Sequence, residues 1–370
     1  MKRALRINSG SNPVANRCFC CSVSRYMILS CTQAAQVFHN FSFFTFPGLG
    51  FTINYLLLKP VLPIIISRGE HMKSIPVIHV EGGSLASAYE RALVALFNEG
   101  IRIKTQYDKS GDPASIDATM NITVHEPLSD PMIHKAFPGG IEDLREYVME
   151  LSGAKDHWMK NMNDPDDTRW EYTYHWRLHD YGTWKEKSND SGKQVVAGPF
   201  RINQIEAVIE KLVNEPYTRQ AQMITWMPDI DPECYDPPCL QSIHYRLVED
   251  EDGVNYLNCN IRFRSNDAWG ANFMNMFGFI QFNKETIARS IEERTGKKIG
   301  IGRLNWHADS YHLYGKDIDE FKKRLLTRID EPFEKRVYNF SDPMIREIYF
   351  EAEEKIKKKI IEHDSKHSVL

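Results

Sequence analysis

One cysteine, Cys239, stands directly behind two prolines in the segment Asp236-Pro-Pro-Cys239. A cysteine thiolate is a strong nucleophile that also leaves readily, so it can form a transient covalent bond with an electron-poor substrate. A free thiol titrates near about pH 8.5, and a nucleophilic role at neutral pH therefore requires cationic neighbours. Taken by itself, the stiff Pro-Pro turn favours a packed cysteine over a nucleophile. The assignment therefore depends on the rest of the chain.

Several distant segments accompany Cys239 in a defined order. Upstream, Glu146 stands seven residues before Gly153, and Tyr172 stands four before Trp176. The segments that follow in the chain are Asn214-Glu-Pro-Tyr-Thr-Arg219, Pro237-Pro-Cys239, Arg264-Ser-Asn-Asp267, Asn275 and His312-Leu-Tyr314. The set resembles the thymidylate synthase and deoxycytidylate hydroxymethylase family over about residues 140–320. That family has an Arg-bearing loop, a Pro-Cys turn, an Arg-Ser-x-Asp segment, an Asn eight residues later and a His-x-Tyr.

The chemistry of that family explains why such residues are needed. A uracil ring is electron-poor at carbon 6 but too weakly nucleophilic at carbon 5 to accept a one-carbon unit. Addition of the Cys239 thiolate at carbon 6 turns carbon 5 into an enolate-like nucleophile. The resemblance implies that Arg264, Ser265 and Arg219 bind the substrate, with the two arginines clamping its phosphate and favouring the thiolate.

The resemblance also implies that Arg219 reaches across a two-fold interface into the partner's site, which predicts a homodimer. Gln220 follows it where a second Arg is usual. The phosphate would then be held by fewer charges, or by a basic residue of the 101–109 loop. The candidates in that loop are Arg102, Lys104 and Lys109.

The remaining roles follow from the same resemblance. Glu146 would shuttle protons through ordered water, assisted by Tyr172, although a surface carboxylate is the simpler interpretation of Glu146 alone. Asp267 would accept a hydrogen bond from the pterin of the folate. His312 and Tyr314 would bind the sugar hydroxyl, whereas a buried structural histidine is the simpler interpretation of His312 alone.

Asn275 bears on which base is bound. Its amide both donates and accepts, so it can pair with a carbonyl oxygen and a ring N–H of uracil together. In the family an Asp at this position goes with cytosine, so Asn275 favours deoxyuridylate. Asn272 lies three residues away and would offer the same chemistry if the alignment were shifted.

Three departures from the family bear on the last chemical step. Leu240 follows the cysteine where His is common, and Phe263 precedes Arg264 where Gln is common. The chain ends in Lys366-His-Ser-Val-Leu370 instead of the usual apolar closing segment. If water reaches the exocyclic methylene intermediate, a hydroxymethyl product would form instead of a methyl group.

Periodicity and turn residues predict the elements that must position these side chains. Ser84 is a capping residue at the start of a predicted helix with one apolar face, and Gly100 ends that helix. Helices are also predicted over 141–151, 203–214 and 274–290, and over a last amphipathic stretch at about 345–360. Strands are predicted at Thr119–Val124 and Met223–Trp226, and a hairpin over 241–249 and 255–264. The prediction is an α/β protein of the α+β type, a mixed sheet flanked by helices.

Composition changes sharply near residue 72. Residues 1–71 hold seven Lys or Arg and one acid, Glu70, so the remainder carries a net charge of −10. The apolar run 41–67 is interrupted by Lys59 and three prolines, which disfavours a membrane span. A transit peptide would fit the basic, acid-poor first 25 residues but not the apolar run that follows them. We expect residues 1–71 to be disordered or untranslated, with translation starting at Met72, and residues 72–370 to form one catalytic domain.

The whole chain carries a formal charge of −4, which disfavours a nucleic-acid-binding surface. Beyond residue 72 the cysteines number three, which disfavours a disulfide scaffold and predicts a reducing, cytoplasmic setting without membrane attachment. No metal site is predicted. The expected reaction is methylation of deoxyuridylate with methylenetetrahydrofolate, and the alternatives are a pyrimidine deoxynucleotide hydroxymethylase and a non-catalytic nucleotide- or RNA-binding relative.

Overall fold

A computed structural model describes residues 74–159, 169–182, 186–188, 194–196 and 201–367. These residues belong to one compact unit that spans residues 67–370. The hypotheses about residues 1–71 lie outside the described residues, and the start at Met72 stays a prediction.

Strands and helices follow one another in mixed order along the described chain. The strands are β1 (Val77–Gly82), β2 (Ile101–Ile103), β3 (Ser115–Val124), β4 (Ile133–His134), β5 (Glu186–Ser188), β6 (Gln194–Val196), β7 (Gln222–Ile224), β8 (Leu240–Glu249), β9 (Asn255–Asp267), β10 (Ile299–Leu313) and β11 (Val337–Tyr338). The helices are α1 (Leu85–Glu99), α2 (Ile141–Leu151), α3 (Tyr174–His179), α4 (Gln204–Asn214), α5 (Asn272–Phe282), α6 (Arg289–Thr295), α7 (Ile318–Arg324) and α8 (Pro343–His367).

A seven-stranded mixed sheet forms the centre of the molecule. Its order is β1-β3-β10-β9-β8-β7, with β2 paired to β3. The β1–β3 and β10–β9 pairs are parallel, whereas the β10–β3, β9–β8 and β8–β7 pairs are antiparallel. The predicted fold class, a mixed sheet flanked by helices, is therefore confirmed.

Helices cover one face of this sheet. On that face the alternate strand residues are apolar and buried, among them Met120, Ile261 and Trp306, and they form one core with α1, α2 and α5. The opposite face carries polar side chains such as His244, which is partly exposed, and the ion pair Arg262–Asp309. Each strand thus reads apolar inside and polar outside, as expected for a sheet with one covered face.

Local capping signals placed several elements correctly. Helix α1 begins after Ser84, whose hydroxyl accepts from the backbone N–H of Ser87, and Gly100 caps its C-terminus. Helix α2 has the predicted limits 141–151, and the predicted hairpin forms from β8 and β9.

Other elements differ from the expectation. Strand β3 begins four residues earlier than predicted, at Ser115, and the predicted helix over 274–290 is formed by α5, a π-helical turn (283–288) and α6. The full length of strand β10 and the edge strand β1 were not predicted. Their pairing with β9 and β3 joins segments far apart in sequence, which local patterns do not encode. None of the described helices combines the length and apolarity needed to cross a membrane.

Candidate active site

A cavity of about 1140 Å³ opens where β8, β9 and β10 approach α2 and the loop before α3. Its size exceeds what one drug-sized ligand needs. Predicted site residues that border it are Tyr172, Cys239, Arg264, Ser265, Asp267, Asn275, His312 and Tyr314.

Strand pairing brings these residues together. Arg264 donates its backbone N–H to the carbonyl of Cys239 over 2.8 Å, so the thiol and the guanidinium stand on neighbouring strands. In the parallel β10–β9 pair, Ser310 stands opposite Ser265 and His312 opposite Asp267. Residues more than 70 positions apart in sequence therefore share one rim of the cavity.

Burial and charge act in opposite directions on the Cys239 thiol. Burial raises the pKa of the thiol above its ordinary value, and the Arg264 guanidinium only partly offsets that increase. Arg264 is itself engaged, because its guanidinium donates to the carbonyls of Pro237 and Pro238. In this chain alone the pKa of the thiol therefore lies above its ordinary value, and ionisation of Cys239 by cationic neighbours stays a prediction.

A buried ion pair holds the loop that leads to Cys239. Arg177 of α3 makes two hydrogen bonds with the Asp231 carboxylate, at 2.8 and 3.2 Å, and both side chains are at least 98% buried. Asp231 also accepts from the backbone N–H of Met227. These contacts hold the loop that leads to Cys239 against α3.

Tyr172 lies close to the nucleophile. It forms a hydrogen bond with the backbone of Cys239, and burial raises the pKa of its phenol. Its ring lies 5.6 Å from that of Tyr174, which also borders the cavity. Both tyrosines stay protonated at neutral pH and can donate a proton or a hydrogen bond.

The predicted carboxylate Glu146 does not border the cavity. It forms an ion pair with the buried Lys155 at 2.8 Å. Glu150, one helical turn later, lines the cavity and contacts the same lysine at 3.3 Å. Burial raises the pKa of Glu150, as is common for carboxylates that move protons. Glu150 was missed by sequence reasoning, although its i+4 spacing from Glu146 places both on one helix face.

Helix α5 brings Asn275 to the floor of the cavity. The Asn275 amide donates to the hydroxyl of Tyr147 over 2.6 Å and accepts from the Asn266 amide over 3.1 Å. A Cβ atom at Gly278 would lie 2.5 Å from the Tyr147 ring, so only glycine permits this approach of α5 to α2. Asn272, the alternative to Asn275, is fully buried and does not line the cavity.

Polar groups of β3 and β10 form the opposite wall. The rings of His312 and Tyr314, two of the predicted site residues, lie 4.6 Å apart on this wall. Ser310 donates to Asp117 over 2.6 Å. The second Asp117 oxygen and Nε2 of His312 are buried and have no partner among the described residues, which suits them to a ligand hydroxyl.

Asp267 stabilises the start of α5. One of its carboxylate oxygens accepts from the backbone N–H groups of Trp269 and Gly270, at 3.0 and 2.9 Å. Asp267 borders the cavity as predicted.

Arg219 does not border the cavity of its own chain. Its side chain is exposed, and its carbonyl faces Nε2 of His244 on the uncovered sheet face, 3.1 Å away. From the 101–109 loop the cavity is lined by Thr105, Gln106 and Tyr107, and not by the basic residues that were candidates for the phosphate. Arg169 contributes a cation that sequence reasoning missed.

Within the described part of the chain, no group of three His, Cys, Asp or Glu side chains could hold a metal ion.

Comparison with known proteins places this site in a family. The family model described as Thymidylate synthase matches residues 142–356. The chain therefore belongs to the thymidylate synthase family, a family of one-carbon transferases.

Similar proteins occur in archaea and in a bacteriophage. The chain is 29% identical to a "Putative thymidylate synthase" of Methanocaldococcus jannaschii, over 65% of this chain and 92% of that protein. It is 26% identical to a protein of the same description from Methanococcoides burtonii, over 66% and 93%. It is 22% identical to the thymidylate synthase of Bacillus phage phi3T, over 64% and 82%. A solved structure, the thermostable thymidylate synthase A from Bacillus subtilis, aligns with a TM-score of 0.45 and 18% identity, over 66% of this chain and 84% of that chain.

Proposed function

We propose that this protein methylates deoxyuridylate to thymidylate, with Cys239 as the nucleophile. The observation that carries the proposal is that Cys239, Arg264 and Asn275 border one cavity. A thiol, a phosphate-binding cation and a base-reading amide are the groups that covalent activation of a pyrimidine nucleotide requires.

The substrate would lie between the two walls of the cavity. Arg264 and Ser265 would bind the phosphate, and the buried atoms of Asp117 and His312 that have no described partner would receive the sugar hydroxyl, beside Tyr314. Asn275 would donate to the uracil carbonyl oxygen and accept from the ring N–H. In this pose carbon 6 would face the Cys239 thiol.

The residues also fit a reduced pterin. The cavity volume leaves room beside a nucleotide, and Asp267 borders it. Methylenetetrahydrofolate, when bound, would supply the one-carbon unit and the hydride. Asp267 would accept a hydrogen bond from the pterin.

Proton transfer would fall to the carboxylates of α2 and to Tyr172. The raised pKa of Glu150 suits a group that both takes and returns a proton. Glu146 remains a proposal from the family resemblance, acting through the shared Lys155. Tyr172, beside the Cys239 backbone, would assist removal of the proton from carbon 5.

Two features support a homodimer. Arg219 is exposed and lies outside the cavity of its own chain. The uncovered sheet face carries a row of polar side chains, including the Arg262–Asp309 pair, that a second copy could cover. A partner subunit would then add the Arg219 cation to the phosphate site and lower the pKa of the Cys239 thiol.

A pyrimidine nucleotide hydroxymethylase is the second candidate. Phe263 lines the cavity and Leu240 is fully buried, at positions where polar residues are common in the family. The absence of polar groups at these two positions favours a change in the final step of the reaction. It leaves activation of the base by the Cys239 nucleophile intact.

Mass spectrometry of the product distinguishes the two. Purified protein is incubated with deoxyuridylate and methylenetetrahydrofolate, and the molecular mass of the nucleotide product is measured. We expect thymidylate from the wild type and no product from Cys239→Ala, with Cys234→Ala as the matched control that stays active. A hydroxymethyl product would establish the second candidate, and unchanged turnover in Cys239→Ala would exclude both.

A further inference from the structure

A row of buried amides lies behind Asn275. The Asn266 amide nitrogen donates to the Asn275 oxygen over 3.1 Å, and the Asn266 oxygen accepts from Asn272 over 2.6 Å. The same oxygen accepts from the indole N–H of Trp306 over 3.2 Å. Tyrosines stand at both ends, with Tyr311 donating to Asn272 and Tyr147 accepting from Asn275.

Only one member of this row has a direction that chemistry imposes. An amide can turn by half a rotation and exchange its donor and acceptor, and a tyrosine hydroxyl can donate or accept. The indole N–H of Trp306 can only donate. Whatever lies against it must accept, so the Asn266 oxygen faces Trp306 and the Asn266 nitrogen faces Asn275.

The direction propagates to the cavity. Because Asn266 presents an N–H, Asn275 must turn its oxygen toward Asn266 and its nitrogen toward Tyr147. Without Trp306 the whole row could reverse at no cost in hydrogen bonds, since each tyrosine would exchange its role. Trp306 is fully buried and packs against Phe263 at a ring separation of 4.5 Å, so its own orientation is held.

We infer that Trp306 acts through Asn266 as a positioning residue that fixes the Asn275 amide and thereby selects uracil over cytosine. The inference rests on the proposed function and deepens it, because it assigns the base preference to Trp306, which does not line the cavity, acting through Asn266, which does. Asn275 keeps one free N–H and one free lone pair, which match the carbonyl oxygen and the ring N–H of uracil.

Cytosine requires the opposite arrangement. Its amino group donates and its ring nitrogen accepts, so Asn275 would have to turn and bring its NH₂ against the NH₂ of Asn266. A buried donor left without an acceptor costs about 1–3 kcal/mol. This corresponds to a preference for uracil of about ten- to a hundredfold.

Competition between deoxyuridylate and deoxycytidylate tests the inference. In Trp306→Phe the ring stays but the N–H is lost, and we expect the ratio of the two kcat/KM values to fall to within about threefold of unity. Trp269→Phe is the matched control, because Trp269 is equally buried but its N–H has no partner among the described residues. Its ratio should stay at the wild-type value.

A second variant tests whether Tyr147, and not Trp306, is the source of the preference for uracil. Tyr147→Phe removes the partner of the Asn275 nitrogen but leaves Trp306 and Asn266 in place. We expect turnover to change and the uracil preference to persist. A lost preference in Tyr147→Phe together with a retained one in Trp306→Phe would overturn the inference.

Asn266→Asp keeps the test decisive if Trp306→Phe does not fold. A carboxylate at position 266 still accepts from Trp306 and Asn272 but, when ionised, cannot donate to Asn275. The Asn275 amide should then turn, and the preference should move toward deoxycytidylate as the pH is raised from neutral to alkaline. A wild-type ratio at every pH would overturn the inference.

Equilibrium binding of both nucleotides to wild-type protein separates the two ways of failing. If the wild type binds and converts deoxyuridylate preferentially but the ratio survives in Trp306→Phe and Asn266→Asp, the positioning role is wrong and the proposed function stands. If the wild type binds neither nucleotide, the proposed function fails and the inference fails with it.

Discussion

At Cys239, burial and the neighbouring charges of Arg264 and Asp236 set the acidity of the thiol. Burial raises its pKa and Arg264 lowers it, with burial the larger effect. A raised pKa means that the thiol stays protonated to a higher pH than free cysteine. We expect the rate of alkylation of Cys239, followed by mass spectrometry of the modified peptide, to increase with pH. Arg264→Gln should move the midpoint of that increase to higher pH, and an unchanged midpoint would contradict the role of Arg264.

The two carboxylates of α2 can be separated by amide substitutions. Glu150→Gln removes the carboxylate that borders the cavity, and we expect kcat to fall at least about a hundredfold. Because the pKa of Glu150 is raised in the folded state, its ionised form destabilises the protein above its ordinary pKa, and neutral glutamine relieves this. At neutral pH, Glu150→Gln should therefore unfold at a temperature no lower than the wild type does.

Glu146→Gln is the matched control on the same helix face. It removes the closer ion pair of Lys155 and leaves the cavity wall unchanged. A larger loss of kcat in Glu146→Gln than in Glu150→Gln would return the proton-transfer role to Glu146, as the family resemblance implies.

Asn275→Asp tests how the base is read. The new carboxylate still accepts from Asn266 and would offer a second acceptor to the cytosine amino group. We expect the wild type to prefer deoxyuridylate by at least about tenfold in kcat/KM, and Asn275→Asp to erase or reverse that preference. Competition kinetics measure both. A wild type that prefers deoxycytidylate would contradict the assignment of the substrate.

At the scale of elements, the Arg177–Asp231 pair joins α3 to the loop that carries Cys239. Both charges are buried, so Asp231→Ala leaves the Arg177 charge without its partner. We expect the free energy of unfolding to fall by about 3–5 kcal/mol. Glu293→Ala, which breaks the exposed Arg289–Glu293 pair of α6, is the control and should cost less than about 1 kcal/mol. Chemical denaturation measures the free energy of unfolding of both variants. Equal losses in the two would contradict the conclusion that burial makes the Arg177–Asp231 pair the more important one.

At the scale of the whole molecule, the question is whether Arg219 serves a neighbouring subunit. We expect Cys239→Ala and Arg219→Ala each to be inactive alone. Mixed and refolded together, they form hybrid dimers in which one site has both wild-type residues. Activity should therefore return to about a quarter of the wild-type value at equal mixing, since half of the dimers are hybrid and each has one complete site. Verified hybrid dimers without activity would exclude action in trans.

Much of the organisation was predictable because its signals are local. The Ser84 cap, the Gly100 end of α1 and the β8–β9 hairpin are encoded within a few residues of where they act. The ordered segments around Cys239 indicated the family, and eight of the predicted site residues do border one cavity. Their individual roles remain proposals.

The tertiary structure decided what depends on long-range packing. Glu150 borders the cavity because of how α2 lies against α5, and no pattern within α2 distinguishes it from Glu146. The net increase in the pKa of Cys239 results from burial by distant segments. The orientation of Asn275 depends on an indole N–H 31 residues away in sequence, which β10 brings behind α5. Residue types and their order can be read from the sequence. The burial of a side chain, the electrostatic field around it and the direction of its hydrogen bonds arise only when remote strands pair.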